Sequence, residues 1–367
     1  MAYQLKNLYN DQFFDELCNV MEKCVPGFNK KKFMLLVKDA EWEQSELKRR
    51  MRKITLALHK TLPPHFKTGS GYIVAITKEY INRKGEGLNF LQMFLPEYIE
   101  LFGLHDMKTS IKSFEEITKF ASCEFAVRPF IIQYEKEMMQ HMLLWSTHNN
   151  QYVRRLSSEG CRPRLPWAIA LPAFKKEPSP ILPILENLKN DSSETVRKSV
   201  ANNLNDISKD NPHIVLEIIK RWKGISENTN WIIRHASRTL LKKGDAKALK
   251  TFDIKTSHKS EVKNLKLSKK KLKIGESVAF NFDFKNVEQK KVKFRIEYAV
   301  FYVKANKTHS KKVFQLKEGE FTSQKIVSFK KLHHLRDLTT RKHYPGEHFI
   351  VILVNGKEVL KEKFTLT

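Results

Sequence analysis

The spacing of apolar residues divides the chain into two grammars. As far as about residue 254, apolar positions recur every three or four residues, the period that lines one face of a helix. Ile214, Val215, Ile218, Ile219 and Trp222 form one such stripe, and Val196, Val200 and Leu204 form another. Asp191-Ser192-Ser193-Glu194 offers a cap before the second stripe. Breakers separate the predicted helices: Pro63-Pro64, Gly69-Ser70-Gly71, Gly85–Gly87, Pro163, Pro166, Pro172, Pro178, Pro180, Gly224 and Gly244. From Lys255 the period becomes two. Val278, Phe280, Phe282 and Phe284 alternate with Ala279, Asn281 and Asp283, and Val292, Phe294, Ile296 and Tyr298 alternate with Lys293, Arg295 and Glu297. Phe349–Val354, the turn Asn355-Gly356, and Val359-Leu360 read as a hairpin. About seven strands in so short a stretch predict an immunoglobulin-like β-sandwich. The expected layout is therefore α then β, with a helical domain over 1–254 and a sandwich over 262–367.

The helical part carries a weak repeat. Val153-Arg154, Val196-Arg197 and Ile233-Arg234 each place a β-branched residue and then arginine early in a predicted helix, at spacings of 43 and 37 residues. Helix pairs with a period of ~40–47 residues mark HEAT or armadillo arrays, which curve and present a concave surface. We read an α-solenoid of HEAT-like repeats; an ordinary helical bundle is the alternative.

Composition narrows the class. Hydrophobic residues are 41% of the chain and aromatics 11%, too apolar for a disordered basic tail. No apolar run approaches the ~18 residues of a membrane-spanning helix, so no membrane partner is expected. The polar N-terminus lacks the apolar stretch of a signal peptide. Cys18, Cys24, Cys123 and Cys161 form no CxxC or CxxH pair, so a structural zinc site is not expected and a reducing, cytoplasmic setting is. Lys+Arg number 67 against 40 Asp+Glu, a net charge of +27 that points to a polyanionic partner. Residues 255–367 hold 27 of the basic groups, nearly all lysine, and 11 of the acids, for +16; the rest holds +11 and uses arginine repeatedly over 128–238. Lysine suits diffuse phosphate attraction, and arginine suits forked, oriented contacts.

Chemistry is concentrated in three places. In Val153–Trp167, Arg155, Glu159 and Arg162 fall at i, i+4 and i+7 on one helix face, with Pro163 ending the helix near Arg162 and Trp167 on the proline-restricted loop beyond. A carboxylate between two guanidiniums beside an aromatic can grip phosphates while presenting an anion to a ligand; the same spacing suits a solvated salt-bridge ladder. Glu124 and Arg128 repeat the i, i+4 pattern, with Phe125 and Phe130 as core. Asp206 lies late in a helix over 194–208, on a face away from Val196, Val200 and Leu204. Trp231, Arg234 and Arg238, at i, i+3 and i+7, form an aromatic-plus-arginine face suited to phosphate and sugar, or a half-buried tryptophan flanked by surface arginines. There is no GxxxxGK[ST], GxGxxG, HExxH or nucleophile elbow, so nucleotide, dinucleotide or metalloprotease chemistry is unsupported.

Glu124–Phe130, the long segment Arg154–Trp167 and the Val-Arg repeats that follow resemble the bacterial AlkC family of DNA alkylation repair glycosylases, relatives of AlkD. The resemblance extends to the layout of HEAT-like repeats followed by an immunoglobulin-like domain. It implies monofunctional hydrolysis of the N-glycosidic bond of cationic alkylated bases, such as 3-methyladenine and 3-methylcytosine, in duplex DNA. Capture of the lesion without base flipping and initiation of base excision repair are implied too. By resemblance, Glu124, Glu159 and Asp206 face the lesion nucleotide, Trp167 is the aromatic contact beside it, and Arg155 and Arg162 clamp the backbone. Arg128, Arg164, Arg197, Trp231, Arg234 and Arg238 complete the expected DNA-contacting set. A cationic base departs neutral without a general acid, which leaves an oxocarbenium-like sugar for carboxylates to stabilise. No metal or cofactor is expected, and the protein is expected to act as a monomer. The lysine-rich sandwich is expected to complete a clamp on the DNA backbone. A non-enzymatic HEAT-repeat scaffold that binds nucleic acid, or one that binds protein, is the alternative.

Overall fold

The computed structural model describes residues 4–337 and 341–367. Helices run from Asp11–Cys24 to Ala246–Thr251, and strands follow from Ser260 to Leu366, so the order is α then β. By packing, the chain forms two compact units: Met1–Val215 with Trp222–Ala236, and Leu216–Arg221 with Ser237–Thr367. No helix among the described residues is long and apolar enough to cross a membrane.

In the first unit the repeat has a physical basis. The Glu194–Ile207 helix packs against both Gln151–Glu159 and Glu227–Ala236. Val153, Val196 and Ile233 are each buried at these contacts. In the first two repeats the arginine that follows points back to the turn before its helix. Arg154 donates to the carbonyls of His148 and Asn149 at 2.9 and 2.8 Å and forks onto Asp191 at 2.6 and 3.1 Å. Arg197 Nη1 donates to the carbonyls of Asp191 and Ser192 at 2.8 and 2.7 Å. Carbonyls in a turn have no ladder partner, and these arginines supply one. The Arg197 guanidinium, expected to contact DNA, braces a turn through Nη1.

In the second unit, β1 (Ser260–Leu267), β2 (Lys271–Leu272), β3 (Ser277–Asn286), β4 (Val292–Val303), β5 (His309–Phe321), β6 (Ile326–His334), β7 (Gly346–Val354) and β8 (Lys357–Leu366) form two sheets. Their orders are β1-β3-β6 and β2-β8-β7-β4-β5. The alternation of Val278, Phe280, Phe282 and Phe284 puts those four into the core with Phe294, Ile296, Ile350 and Ile352 from the facing sheet. The Asn355-Gly356 turn joins β7 to β8 with both residues at positive φ, 50° and 81°, as a tight hairpin requires.

Packing moves the domain boundary earlier than 254. Leu240, Leu241, Ala248, Leu249 and Ile254 cluster together. They belong to the unit of the sandwich. Asn355 Nδ2 donates to Lys255 O, Lys293 Nζ donates to Phe252 O, both at 2.9 Å, and Gly356 lies backbone-to-backbone against Gly244. The change of periodicity marks where helix gives way to strand; by packing, Leu216–Arg221 already counts with the sandwich, and everything from Ser237 onward does.

Candidate active site

Five of the residues singled out in the sequence converge. Arg155 and Glu159 lie one turn apart on the Gln151–Glu159 helix. That helix stops at Glu159, short of Arg162, with Pro163 following. Arg162 therefore reaches Glu159 from the turn after the helix rather than from a shared face. Asp206 comes from the last turn of Glu194–Ile207. The two helices are fixed side by side by Asn203 Nδ2 donating to Ser158 O at 2.8 Å and Ser199 Oγ to Ser158 Oγ at 3.0 Å. Glu124 enters from the turn before the Val127–Gln133 helix.

The result is a continuous ladder of alternating charge. Arg155 Nη1 meets Glu124 Oε2 at 2.8 Å, and Arg155 Nη2 lies 3.9 Å from Glu159 Oε1. Arg162 Nη1 meets the same Glu159 oxygen at 2.6 Å, and Arg162 Nη2 meets Asp206 Oδ2 at 2.9 Å. Two members went unnoticed in the sequence. Lys209 Nζ caps the far end on Asp206 Oδ1 at 2.9 Å. Ser122 Oγ donates to Glu124 Oε2 at 2.6 Å and accepts from Arg155 Nη1 at 2.8 Å. Their signals were faint: Lys209 three residues after Asp206, and Ser122 two before Glu124.

The ladder is not the solvated kind that helical charge spacing allows. Glu159 is 5% exposed, Arg162 6% and Asp206 1%. Burial opposes the charge of Arg162, but the Glu159 and Asp206 carboxylates outweigh it and raise its pKa. Taking ions out of water is expensive, and well-packed apolar side chains commonly hold helices together as well or better. A buried run of paired charges is therefore a weak stabilising device and a plausible chemical one. Arg155 and Arg162 are engaged with carboxylates and mostly buried, so they orient the acids.

Arg128 departs from its expected DNA contact. It is 0% exposed. Its Nη1 donates to the carbonyls of Gly160 and Arg162 at 3.0 and 2.9 Å, and its Nε donates to that of Ile169. Burial pulls its pKa down to about 10. It pins the turn that carries Arg162 and the loop that carries Trp167, and it does not reach solvent. Trp167 itself is 62% exposed and sits at φ 66°, a region bulky residues rarely occupy. Its carbonyl accepts from Lys48 Nζ, and its ring lies 6.2 Å from that of Phe90.

The remaining residues do not join the ladder. Arg164 is exposed and forks onto Asp210 at 2.8 and 2.6 Å. Trp231 is half exposed, its ring stacked on His235 at 5.1 Å. Arg234 shares the Glu227–Ala236 helix with it, but that helix ends before Arg238, which opens the Arg238–Lys243 helix in the other unit. The expected three-residue face is thus interrupted at Ser237. Among the described residues, no group of three or more His, Cys, Asp or Glu side chains is placed to hold a metal ion.

Residues 106–240 match the family model for DNA alkylation repair enzymes, and 261–367 match that for the C-terminal Ig-like domain of the uncharacterised protein YhaZ. The chain is 40% identical over 353 residues to the uncharacterized protein YhaZ of Bacillus subtilis (strain 168), covering 96% of each. Its structure superposes on the Pseudomonas fluorescens alkylpurine DNA glycosylase AlkC, bound to DNA containing an abasic site analog, with a TM-score of 0.93, at 33% identity and 100% of both chains. The chain belongs to the AlkC family of DNA alkylation repair glycosylases. All seven ladder residues of this AlkC-family chain, from Ser122 to Lys209, lie inside the segment matched to the alkylation repair model. The sandwich is the family's Ig-like domain.

Proposed function

We propose that the chain is a monofunctional alkylbase DNA glycosylase. It hydrolyses the N-glycosidic bond of cationic bases, 3-methyladenine and 3-methylcytosine, in duplex DNA without flipping the lesion, and so initiates base excision repair. It acts as a monomer in the bacterial cytoplasm. The observation that carries the reading is the buried ladder of three carboxylates held by Arg155 and Arg162. The P. fluorescens neighbour, bound to DNA with an abasic-site analogue, supports duplex DNA as the partner.

The chemistry follows from charge. A methylated cationic base leaves as a neutral molecule, so the protein needs no general acid. Positive charge then grows on the deoxyribose, and fixed carboxylates stabilise it. Preorganisation is the contribution of the arginines. Glu124 is held by both Arg155 and Ser122, and such a carboxylate needs little rearrangement as the sugar charge develops. An unmodified base leaves with an unfavourable negative charge, so a site of this modest kind spares it. The exposed indole of Trp167 supplies a flat apolar contact for the lesion nucleotide. The lysines of the sandwich supply diffuse phosphate attraction.

The test is incubation with methylated duplex DNA. Release of 3-methyladenine or 3-methylcytosine with an intact sugar–phosphate backbone is expected. Tight duplex binding with no base release would instead favour a non-enzymatic scaffold.

A further inference from the structure

A cavity of about 330 Å³ opens in the helical unit, and of its lining the chemistry proposed above uses Trp167 and Ser122 alone. Ser122, which holds Glu124 in the ladder, also lines this cavity, so the two share a wall. The other walls are largely apolar: Met93, Phe125, Trp167 and Ile169. Their positions are imposed. Lys48 Nζ donates to the Trp167 carbonyl and lies 5.2 Å from the centre of the Phe125 ring. Arg128 Nε holds the Ile169 carbonyl. Trp167 lines the cavity while 62% exposed and sits at an unusual φ of 66°, and such conformations persist only where their surroundings over-determine them.

Two acids line the same space. Glu97 is occupied, accepting from Arg52 Nε at 2.8 Å and Thr55 Oγ1 at 2.7 Å. Glu100 has no hydrogen-bond partner among the described residues. Burial, and then the nearby Glu97 carboxylate, push its pKa up to about 7 against the pull of Arg52 and Lys48. Near neutral pH it is therefore poised to donate a hydrogen bond as an acid or accept one as a carboxylate. A concave, mostly apolar space with a few convergent polar groups is the ordinary form of a small-molecule site, and this volume lies at the lower end of the ~300–1,000 Å³ range for such sites. Lys48, Arg49 and Arg52 also line the space, but each is engaged, with the Trp167 carbonyl, Glu41 and Glu97 respectively, so a phosphate would meet two carboxylates and three cations already spent, and a metal ion would find one acid already occupied.

We propose that this cavity binds a planar nitrogen heteroaromatic, the free alkylated purine released by the glycosylase reaction, with Phe125 and Trp167 as ring-face contacts and Glu100 at its hydrogen-bonding edge. The assignment rests on the glycosylase reading for the identity of its ligand. The test is calorimetric titration of the full chain with free 3-methyladenine, without DNA. Saturable binding is expected. Glu100→Leu should weaken it about ten-fold, the value of one good hydrogen bond to a charged group. Ala168→Phe, which fills the cavity from the loop, should abolish it, with both variants melting like the parent. No binding by the parent at millimolar base overturns the assignment, as does binding unchanged in both folded variants. Base release from alkylated duplex is measured in parallel. Release without free-base binding overturns the cavity assignment and leaves the glycosylase reading standing. Free-base binding lost in both variants, with no release from duplex, supports the cavity and overturns the glycosylase reading.

Discussion

Glu159→Gln removes one negative charge from the middle of the ladder and keeps an oxygen where Oε1 accepts from Arg162 at 2.6 Å. Arg162 retains Asp206 at 2.9 Å, and Arg155 retains Glu124 at 2.8 Å. The loss to the fold is therefore one charge–charge contact, on the order of 1–3 kcal/mol. The loss to chemistry is larger in effect. A carboxylate about 5 Å from a developing sugar cation, at an effective dielectric of about 20, stabilises it by about 3 kcal/mol. Single preorganised contacts are commonly worth ~3–4 kcal/mol, so base release should fall on the order of 10²–10³-fold. Duplex affinity should barely change, because Glu159 is 5% exposed and offers nothing to phosphates. Single-turnover release of 3-methyladenine, equilibrium binding by fluorescence anisotropy and thermal melting together decide the matter. Binding that falls in parallel with release would make Glu159 structural. Undiminished release would remove it from the chemistry altogether.

Three further outcomes concern the scaffold. Arg128→Met should destabilise the helical unit by about 3 kcal/mol or more, because the carbonyls of Gly160, Arg162 and Ile169 lose their shared donor; an unchanged urea midpoint would show that the guanidinium is dispensable. Gly356→Ala should destabilise the sandwich unit by about 2 kcal/mol or more, since its φ is 81° and a Cβ there would lie 2.5 Å from Gly244 Cα; parental stability would contradict that close approach. Burial holds the pKa of His333 at about 4, below its ordinary 6.5, and its ring nitrogens meet the Tyr298 and Tyr302 hydroxyls at 3.0 and 2.7 Å. The folded state thus favours the neutral ring. The stability this confers is complete above the ordinary value and drains away as pH falls from about 6.5 towards 4, by on the order of 3 kcal/mol. The difference in unfolding free energy between the parent and His333→Gln should track that window, and a difference independent of pH would refute the linkage.

Much of the fold was legible because period is a local property. Phe280, Phe282 and Phe284 alternate in sequence and are buried together, and Asn355-Gly356 marks its hairpin by residue type alone. The Val-Arg repeats located the helical array, but not what their arginines do: Arg154 and Arg197 turn to backbone carbonyls contributed by the preceding turn. Arg128 misled for a related reason. An arginine four residues after a glutamate reads as a surface pair, and nothing local announces that three carbonyls from residues 160–169 will enclose it. Lys209 and Ser122 escaped notice because single polar residues acquire meaning only when another helix arrives beside them. The cavity beside Ser122 was invisible for the same reason, being assembled from stretches as distant as Lys48 and Ile169. The interruption between Arg234 and Arg238 likewise depends on packing, since Leu240 and Leu241 join the cluster of Leu249 and Ile254.

The most direct measurement of the central claim is base release from duplex DNA carrying 3-methyladenine or 3-methylcytosine at a defined position, followed by analysis of both the freed base and the strand. The charge ladder predicts release of the methylated base at neutral pH, an abasic site in an unbroken strand, and no release from the matching unmodified duplex. Tight binding of the methylated duplex with no freed base, under conditions where the protein is folded, would contradict it.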